Sequence, residues 1–351
     1  MGKEISNDGL NAAAARPITL FMRALVIAAC GLLAASGHAK EADGARVATV
    51  VSVGVFPGGF NWPLWVVKDR KLDARVGLDI RISGVRSSEE QMTGLNTGRF
   101  DLVMTGFDNV VAYGGIHSKP ALPTVVAFMG GDNGLLTLVG RPGLSSFDDL
   151  RGKRLGVDSE RTGYAFALYG ILEKHGLDQA GYSVVRAGGV KQRFEALQAG
   201  SIDATLLVSP FDKVAFEGGA HRIASVSNEL GAYQGYVGAT RRHWAIANRP
   251  TVVSYIRSYR RALTWLFEPQ NKDAALQLYL RNVENATMDQ ALQAYDVLVA
   301  SPFGIEPNAR FSPRGAEQVV RLRRQYGGPA WAGLTNASVY YDASFYRQSS
   351  H

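Results

Sequence analysis

Leu95-Asn-Thr-Gly98-Arg-Phe100-Asp101-Leu-Val-Met-Thr105-Gly-Phe-Asp108-Asn-Val-Val-Ala-Tyr113 reads as the end of one helix, a short buried strand and the start of a second helix. Gly98 is the stop, because glycine enters the left-handed conformation at a helix C-terminus without steric cost. The apolar run over 100–105 suits a buried strand. Asp108 is placed to cap the following helix, whose first-turn N–H groups a carboxylate can accept. The pattern returns as Leu197-Gln-Ala-Gly200-Ser-Ile-Asp203, then Ala204-Thr-Leu-Leu-Val208, then Ser209-Pro-Phe-Asp212. Leu-x-x-Gly-x-(Phe/Ile)-Asp, an apolar strand and a Phe-Asp pair at a helix start, occurring twice, imply two related α/β halves. Two such halves facing each other enclose a cleft lined by helix N-termini.

Working outward, the β-branched run over 47–56 reads as a parallel strand ending in Pro57-Gly-Gly-Phe60-Asn61-Trp62-Pro63. Asn61 suits a helix cap and Pro63 a first helical turn. Its glycines lack the G-x-G-x-x-G spacing of a dinucleotide site. A second strand is expected over 77–83, a capping box at Ser87 to Glu90, and a further strand over 124–129. Gly130 to Gly134 is a flexible joint and the expected first crossing. Strands then fall at 135–139 and up to Asp158, with a helix from Ser159-Glu-Arg-Thr162-Gly163-Tyr164 to His175. The glycine- and aromatic-rich stretch 230–239 is the expected return, followed by helices over 250–267, 272–280 and 288–298. A tail with Trp331 and Tyr340-Tyr341 packs back on the first half. The expected organisation is a signal peptide at 1–39, lobe one from 45–134 with 240–351, and lobe two from 135–239.

With 351 residues, 46% of them hydrophobic and 20% charged, the chain can bury one large core or two smaller ones and is not of disordered type. The net charge of +7 is spread out, with no basic run interleaved with aromatics, which excludes a nucleic-acid reading. Arg16 and Arg23, the apolar run 24–35 and Ser36-Gly-His-Ala39 form a basic, hydrophobic and small-residue sequence in signal-peptide order, too short to span a bilayer. Ile27-Ala-Ala-Cys30 also has lipobox character, so lipid anchoring through Cys30 stands beside cleavage after Ala39. Cys30 is the single cysteine, so cleavage leaves a chain without thiol chemistry. The six histidines share no metal-binding spacing, and no Gly-x-Ser-x-Gly elbow occurs.

The ordered segments Phe56-Pro-Gly-Gly-Phe-Asn-Trp-Pro-Leu64, Leu95 to Asp101, Phe107 to Tyr113, Asp149-Leu-Arg-Gly-Lys-Arg-Leu-Gly-Val-Asp158 and Ala196-Leu-Gln-Ala-Gly-Ser-Ile-Asp-Ala204 carry a family resemblance. The chain resembles periplasmic substrate-binding proteins of ABC importers in the nitrate/taurine/alkanesulfonate group, over the whole mature length. That superfamily includes a thiamine-pyrimidine-precursor synthase branch. The resemblance implies a type II periplasmic-binding-protein fold, two α/β lobes joined by two crossover segments around a ligand cleft. It implies a monomeric, exported, non-enzymatic protein without cofactor or metal, handing a small-molecule ligand to an ABC permease and ATPase at the inner membrane. The alternative is a sensory or enzymatic member of the same fold, such as a pyrimidine-precursor synthase-like protein. That branch is expected to carry a cysteine-rich iron motif and an active-site histidine, and the mature chain has no cysteine.

Ligand capture in such a cleft is non-covalent, and helix N-termini bind oxyanions without a formal cation. The candidate ligand-binding residues are Phe60, Asn61, Trp62, Asp108, Asn109, Thr162, Gly163, Tyr164, Phe211, Tyr233 and Gln234. Phe60, Trp62 and Tyr233 supply aromatic walls. Thr162 and Gly163 form a helix start that a ligand can approach. Asp108 either caps its helix or receives a donor from the ligand, and the second case favours an amine or ring N–H over bare nitrate. The ligand class is a small organic anion: a sulfonate, a carboxylate or a related heterocycle.

Overall fold

The structure, a computed structural model, describes residues 48–115, 122–132, 134–301 and 304–350. The expected signal peptide, Cys30 and His117 lie outside these residues. β1 (Thr49–Val55) leads through α1 (Trp62–Asp69) to β2 (Leu78–Gly84), α2 (Ser88–Thr97) to β3 (Leu102–Gly106), and α3 (Phe107–Gly114) to β4 (Val125–Gly130). The chain then passes to β5 (Thr137–Gly140), β6 (Arg154–Val157), α4 (Gly163–Lys174), β7 (Ser183–Arg186), α5 (Val190–Gln198), β8 (Ala204–Leu207), α6 (Phe211–Glu217), β9 (His221–Ser225) and α7 (Val226–Leu230). β10 (Tyr236–Arg241) is followed by helices alone: α8 (Arg242–Ala247), α9 (Arg249–Phe267), α10 (Lys272–Asn282), α11 (Met288–Leu298), α12 (Pro313–Tyr326) and α13 (Ala343–Gln348). Among the described residues no helix is long and apolar enough to cross a membrane.

The strands form two sheets, β2-β1-β3-β10-β4 and β7-β6-β8-β5-β9. The two orders correspond strand for strand. In each, a parallel trio is followed by one antiparallel strand, β10 in the first sheet and β5 in the second. Each sheet therefore takes its antiparallel strand from the chain's passage out of, or back from, the other. Residues 236–239, expected in lobe two, belong to β10 and hence to the first sheet.

The repeated motif has one structural job in both halves. Asp101 Oδ2 accepts from the Ser52 backbone N–H at 2.9 Å, and Asp203 Oδ2 from that of Arg154 at 2.8 Å, 49 residues back in each case. Each carboxylate thus ties one strand of a parallel pair to the start of the other. The side-chain hydrogen bond from Arg154 holds the Asp203 carboxyl below its ordinary pKa. The apolar residue before each Asp fills a slot left by a strand glycine. A Cβ on Gly54 would lie 2.7 Å from the Phe100 ring, and one on Gly156 would lie 2.3 Å from Ile202 Cδ1. The motif's glycine, Gly98, ends α2 at φ 86°, a conformation that glycine adopts freely.

The two crossings are bound to each other. The buried Asp132 carboxylate accepts from Gly134 N at 2.7 Å and Leu135 N at 3.3 Å on the outgoing segment, and from Tyr236 N at 2.9 Å on the return. Burial pushes the Asp132 carboxyl above its ordinary pKa, and these three N–H groups oppose that shift. Gln234 donates to Asp132 O and Tyr236 O, while its Oε1 accepts from Ser312 N at 2.7 Å. The start of α12 is thereby fastened to the return crossing. From there α12 packs on both α3 and α4, so a helix from the C-terminal region bridges elements that follow strands of different sheets. The tail docks on β4, where Tyr341 bridges Ala127 and Tyr340 donates to Gly115 O.

Candidate ligand-binding site

A cavity of about 60 Å³ lies between the two sheets, several times the roughly 10–15 Å³ that one ordered water needs. Four helix starts reach it: Ser88 of α2 and 106–109 at α3 on one side, 162–164 at α4 and 189–190 at α5 on the other. Each follows the carboxyl end of a parallel strand, where ligands collect in open α/β sheets. The unpaired N–H groups of these first turns carry partial positive charge. A smaller void of about 20 Å³ continues behind Phe60, Tyr164 and Tyr236 towards Asp132.

Aromatic walls close the cavity. Phe60 and Tyr236 meet with ring centroids 4.7 Å apart, and Phe56, Tyr164 and Tyr233 complete the lining. Tyr233 O–H donates to Gly163 O at 3.3 Å and Tyr236 O–H to Asn61 Oδ1 at 2.9 Å. Burial pushes the phenols of Tyr164, Tyr233 and Tyr236 above their ordinary pKa, so they stay neutral donors at physiological pH.

One buried ion pair stands at the cavity, with two further charged groups beside it. Arg323 of α12 grips Asp108 with Nε to Oδ1 at 2.6 Å and Nη2 to Oδ2 at 2.5 Å, and it also donates to Arg161 O at 3.1 Å. Its guanidinium lies 4.9 Å from the Phe166 ring centroid and 4.5 Å from that of Trp331. Arg193, 2% exposed, donates to Gly188 O at 2.9 Å and Leu206 O at 3.1 Å. Burial lowers its pKa, and the charge of Asp158 opposes that shift. Asp158 accepts from Ser88 N at 3.3 Å, a contact made across the cavity. No group of three or more His, Cys, Asp or Glu side chains among the described residues is placed to hold a metal ion.

Seven of the eleven residues expected from sequence line this cavity: Phe60, Asp108, Asn109, Thr162, Gly163, Tyr164 and Tyr233. The other four lie elsewhere. Trp62 is fully buried in the core, its indole N–H donating to Ala275 O at 3.2 Å and its ring 4.8 Å from Tyr279. Asn61 is a buried strut that donates to Phe56 O. Gln234 is fully buried in the crossings, and Phe211 packs on Phe194 at 5.4 Å. Asp108 is not the N-cap of its helix. Gly106 holds that position, and Asp108 sits in the first turn with both oxygens taken by Arg323. The Thr162 hydroxyl donates to Ser159 O at 2.9 Å.

Sequence reasoning missed Arg193, Asp158 and Ser88 among the lining residues. For Arg193 a signal was present in its helix, since Gly188-Gly189 marks the sharp entry to α5.

Gly163 has a structural duty besides any contact with a ligand. A Cβ there would lie 2.2 Å from the Cβ of Asp108, so the starts of α3 and α4 can meet only over a glycine. Overpacking of this kind costs about 1–3 kcal/mol. Gly163→Val is therefore expected to weaken ligand binding by roughly tenfold or more while the chain still folds. Titration calorimetry alongside a thermal melt checks both halves of that expectation.

Residues 44–280 match the family model described as the NMT1-like family. No curated protein sequence matches the chain. Among solved structures, the chain is similar to the alkanesulfonate-binding protein of Xanthomonas axonopodis pv. citri bound to MOPS. That match has 17% identity and a TM-score of 0.66, covering 83% of this chain and 96% of the other. The periplasmic nitrate-binding protein of Synechocystis PCC 6803 matches at 11% identity and a TM-score of 0.70, over 86% and 88% of the two chains. The ligand-binding component of an ABC-type import system from Staphylococcus aureus, with zinc bound, matches at 13% identity and a TM-score of 0.69, over 86% and 99%. At these identities the likeness establishes the fold, that of periplasmic binding proteins.

Proposed function

Because the chain belongs to the NMT1-like family and has the periplasmic-binding-protein fold, we propose that it is the exported solute-binding component of an ABC import system. It captures a small organic anion, a sulfonate, a carboxylate or a related heterocycle, and delivers it to a membrane permease. The observation that carries this reading is the convergence of four helix starts, two from each sheet, on one aromatic-walled cavity. Such termini stabilise an oxyanion through backbone N–H groups and helix dipoles. In this reading lobe one is built on the first sheet and lobe two on the second, with crossings at 131–136 and 231–235 serving as hinges. The protein works as a periplasmic monomer beside its permease and ATPase. It binds its ligand without transforming it.

Binding that favours the folded, closed chain over the unfolded one raises stability by RT ln(1 + [L]/Kd), about 2.7 kcal/mol at a hundredfold excess. A thermal-melt screen of organic anions and ring compounds is therefore expected to give a few sharp stabilising hits. A screen without hits, or turnover of a bound compound by the purified protein, would refute the reading.

A further inference from the structure

Three ionic side chains line the cavity: Asp108, Asp158 and Arg193. Their bonding separates their roles. Asp108 has both oxygens bonded by Arg323, which also neutralises its charge. Arg193 is tied to two main-chain carbonyls and keeps further N–H groups free, since a guanidinium carries five. Asp158 is 7% exposed, yet its hydrogen bonding among the described residues is one long N–H contact, from Ser88 at 3.3 Å. A carboxylate has about four acceptor sites. Asp132 accepts from three N–H groups, and Asp203 accepts three hydrogen bonds from Arg154 and is ion-paired with Arg141. The carboxylate's remaining acceptor sites open into the cavity, where a molecule that enters can supply the missing donors.

The charge balance points the same way. Asp108 with Arg323 and Asp158 with Arg193 sum to zero. A bare oxyanion entering this set brings a charge that no side chain is left to neutralise. An amphoteric molecule brings none. Its anionic end can face Arg193 and the first turns of α4 and α5, and its donor end can face Asp158.

We propose that Asp158 is the specificity-determining residue of this cavity, selecting a small amphoteric ligand that presents an N–H donor and turning away bare oxyanions. This rests on the binding reading above and narrows its ligand class. Because Asp158 also reaches Ser88 across the cavity, a donor bound there is held where elements of the two sheets meet.

The test uses the full chain and pairs of compounds that differ in the donor: β-alanine against propionate, 2-aminoethanesulfonate against ethanesulfonate, and imidazole-4-acetate against phenylacetate, with nitrate as a bare oxyanion. Thermal melts and titration calorimetry are read for the wild type, Asp158→Asn and Asp158→Ser. In at least one pair the donor-bearing member should bind the wild type roughly tenfold or more tightly than its partner. Asp158→Asn should lose about that factor for the donor-bearing member and leave the partner's weak binding in place. Should either variant fail to fold, the comparison within each pair on the wild type still decides. Equal or tighter binding of the donor-free members or of nitrate overturns the proposal, as does discrimination unchanged in a folded Asp158 variant. Binding of no compound overturns the solute-binding reading together with it.

Discussion

Replacing Arg323 by methionine should cost about 3–5 kcal/mol of folding stability, because it leaves Asp108 buried without its counter-charge. The side chains of the pair are 3% and 4% exposed, and the contact is bidentate. The loss extends past the pair. Arg323 also caps Arg161 O and fills the space between Phe166 and Trp331, so α12 would loosen from both α3 and α4. Adding Asp108→Asn to Arg323→Met removes the orphaned charge and should restore a large part of the stability. A double-mutant cycle by urea denaturation measures this directly. A single-variant loss below about 1 kcal/mol, the range of solvent-exposed pairs, would mean that the ion pair is open to water.

Trp62→Ala should have an effect of similar size, about 3–5 kcal/mol, for a different reason. Trp62 is a fully buried core side chain wedged against Tyr279, and truncation leaves a large void. Ligand affinity, measured under conditions where the variant is folded, should stay within about twofold of wild type, a free-energy change well under 1 kcal/mol. Thermal melts and calorimetry on the same preparation separate the two effects. A variant of normal stability with weakened binding would instead return Trp62 to the cavity wall, where its place beside Asn61 in the sequence had put it.

The contrast between Trp62 and Tyr164 shows how far the sequence could be read. Both stand at helix starts in glycine-bearing turns, and both looked like walls of a cleft. Which face of a helix turns inwards depends on what packs over it, and for Trp62 that is α10, more than two hundred residues away. The repeated Leu-x-x-Gly-x-(Phe/Ile)-Asp was legible because it occurs twice and its glycine ends a helix locally, although its Phe/Ile and Asp act on a strand 46–49 residues back. Helix α3 starts one residue before the expected Asp108, whereas the start of α4 at Gly163 was legible from its glycine. Arg323 was not, since its partner Asp108 is 215 positions distant and surface arginines are common in amphipathic helices such as α12. Asp158 and Arg193 were hidden by the same limit. A charged residue at a strand end or on a helix reads as solvated until the opposite sheet is placed over it.

The claim that the ligand is held between the two sheets is tested most directly by hydrogen exchange, with and without a compound found in the thermal screen. Exchange should slow together in the segments that open α2 and α3 and in those that open α4 and α5. Protection confined to the helices of one sheet, or centred on the groove between α4 and α12 lined by Glu173, Arg321 and Tyr326, would contradict it.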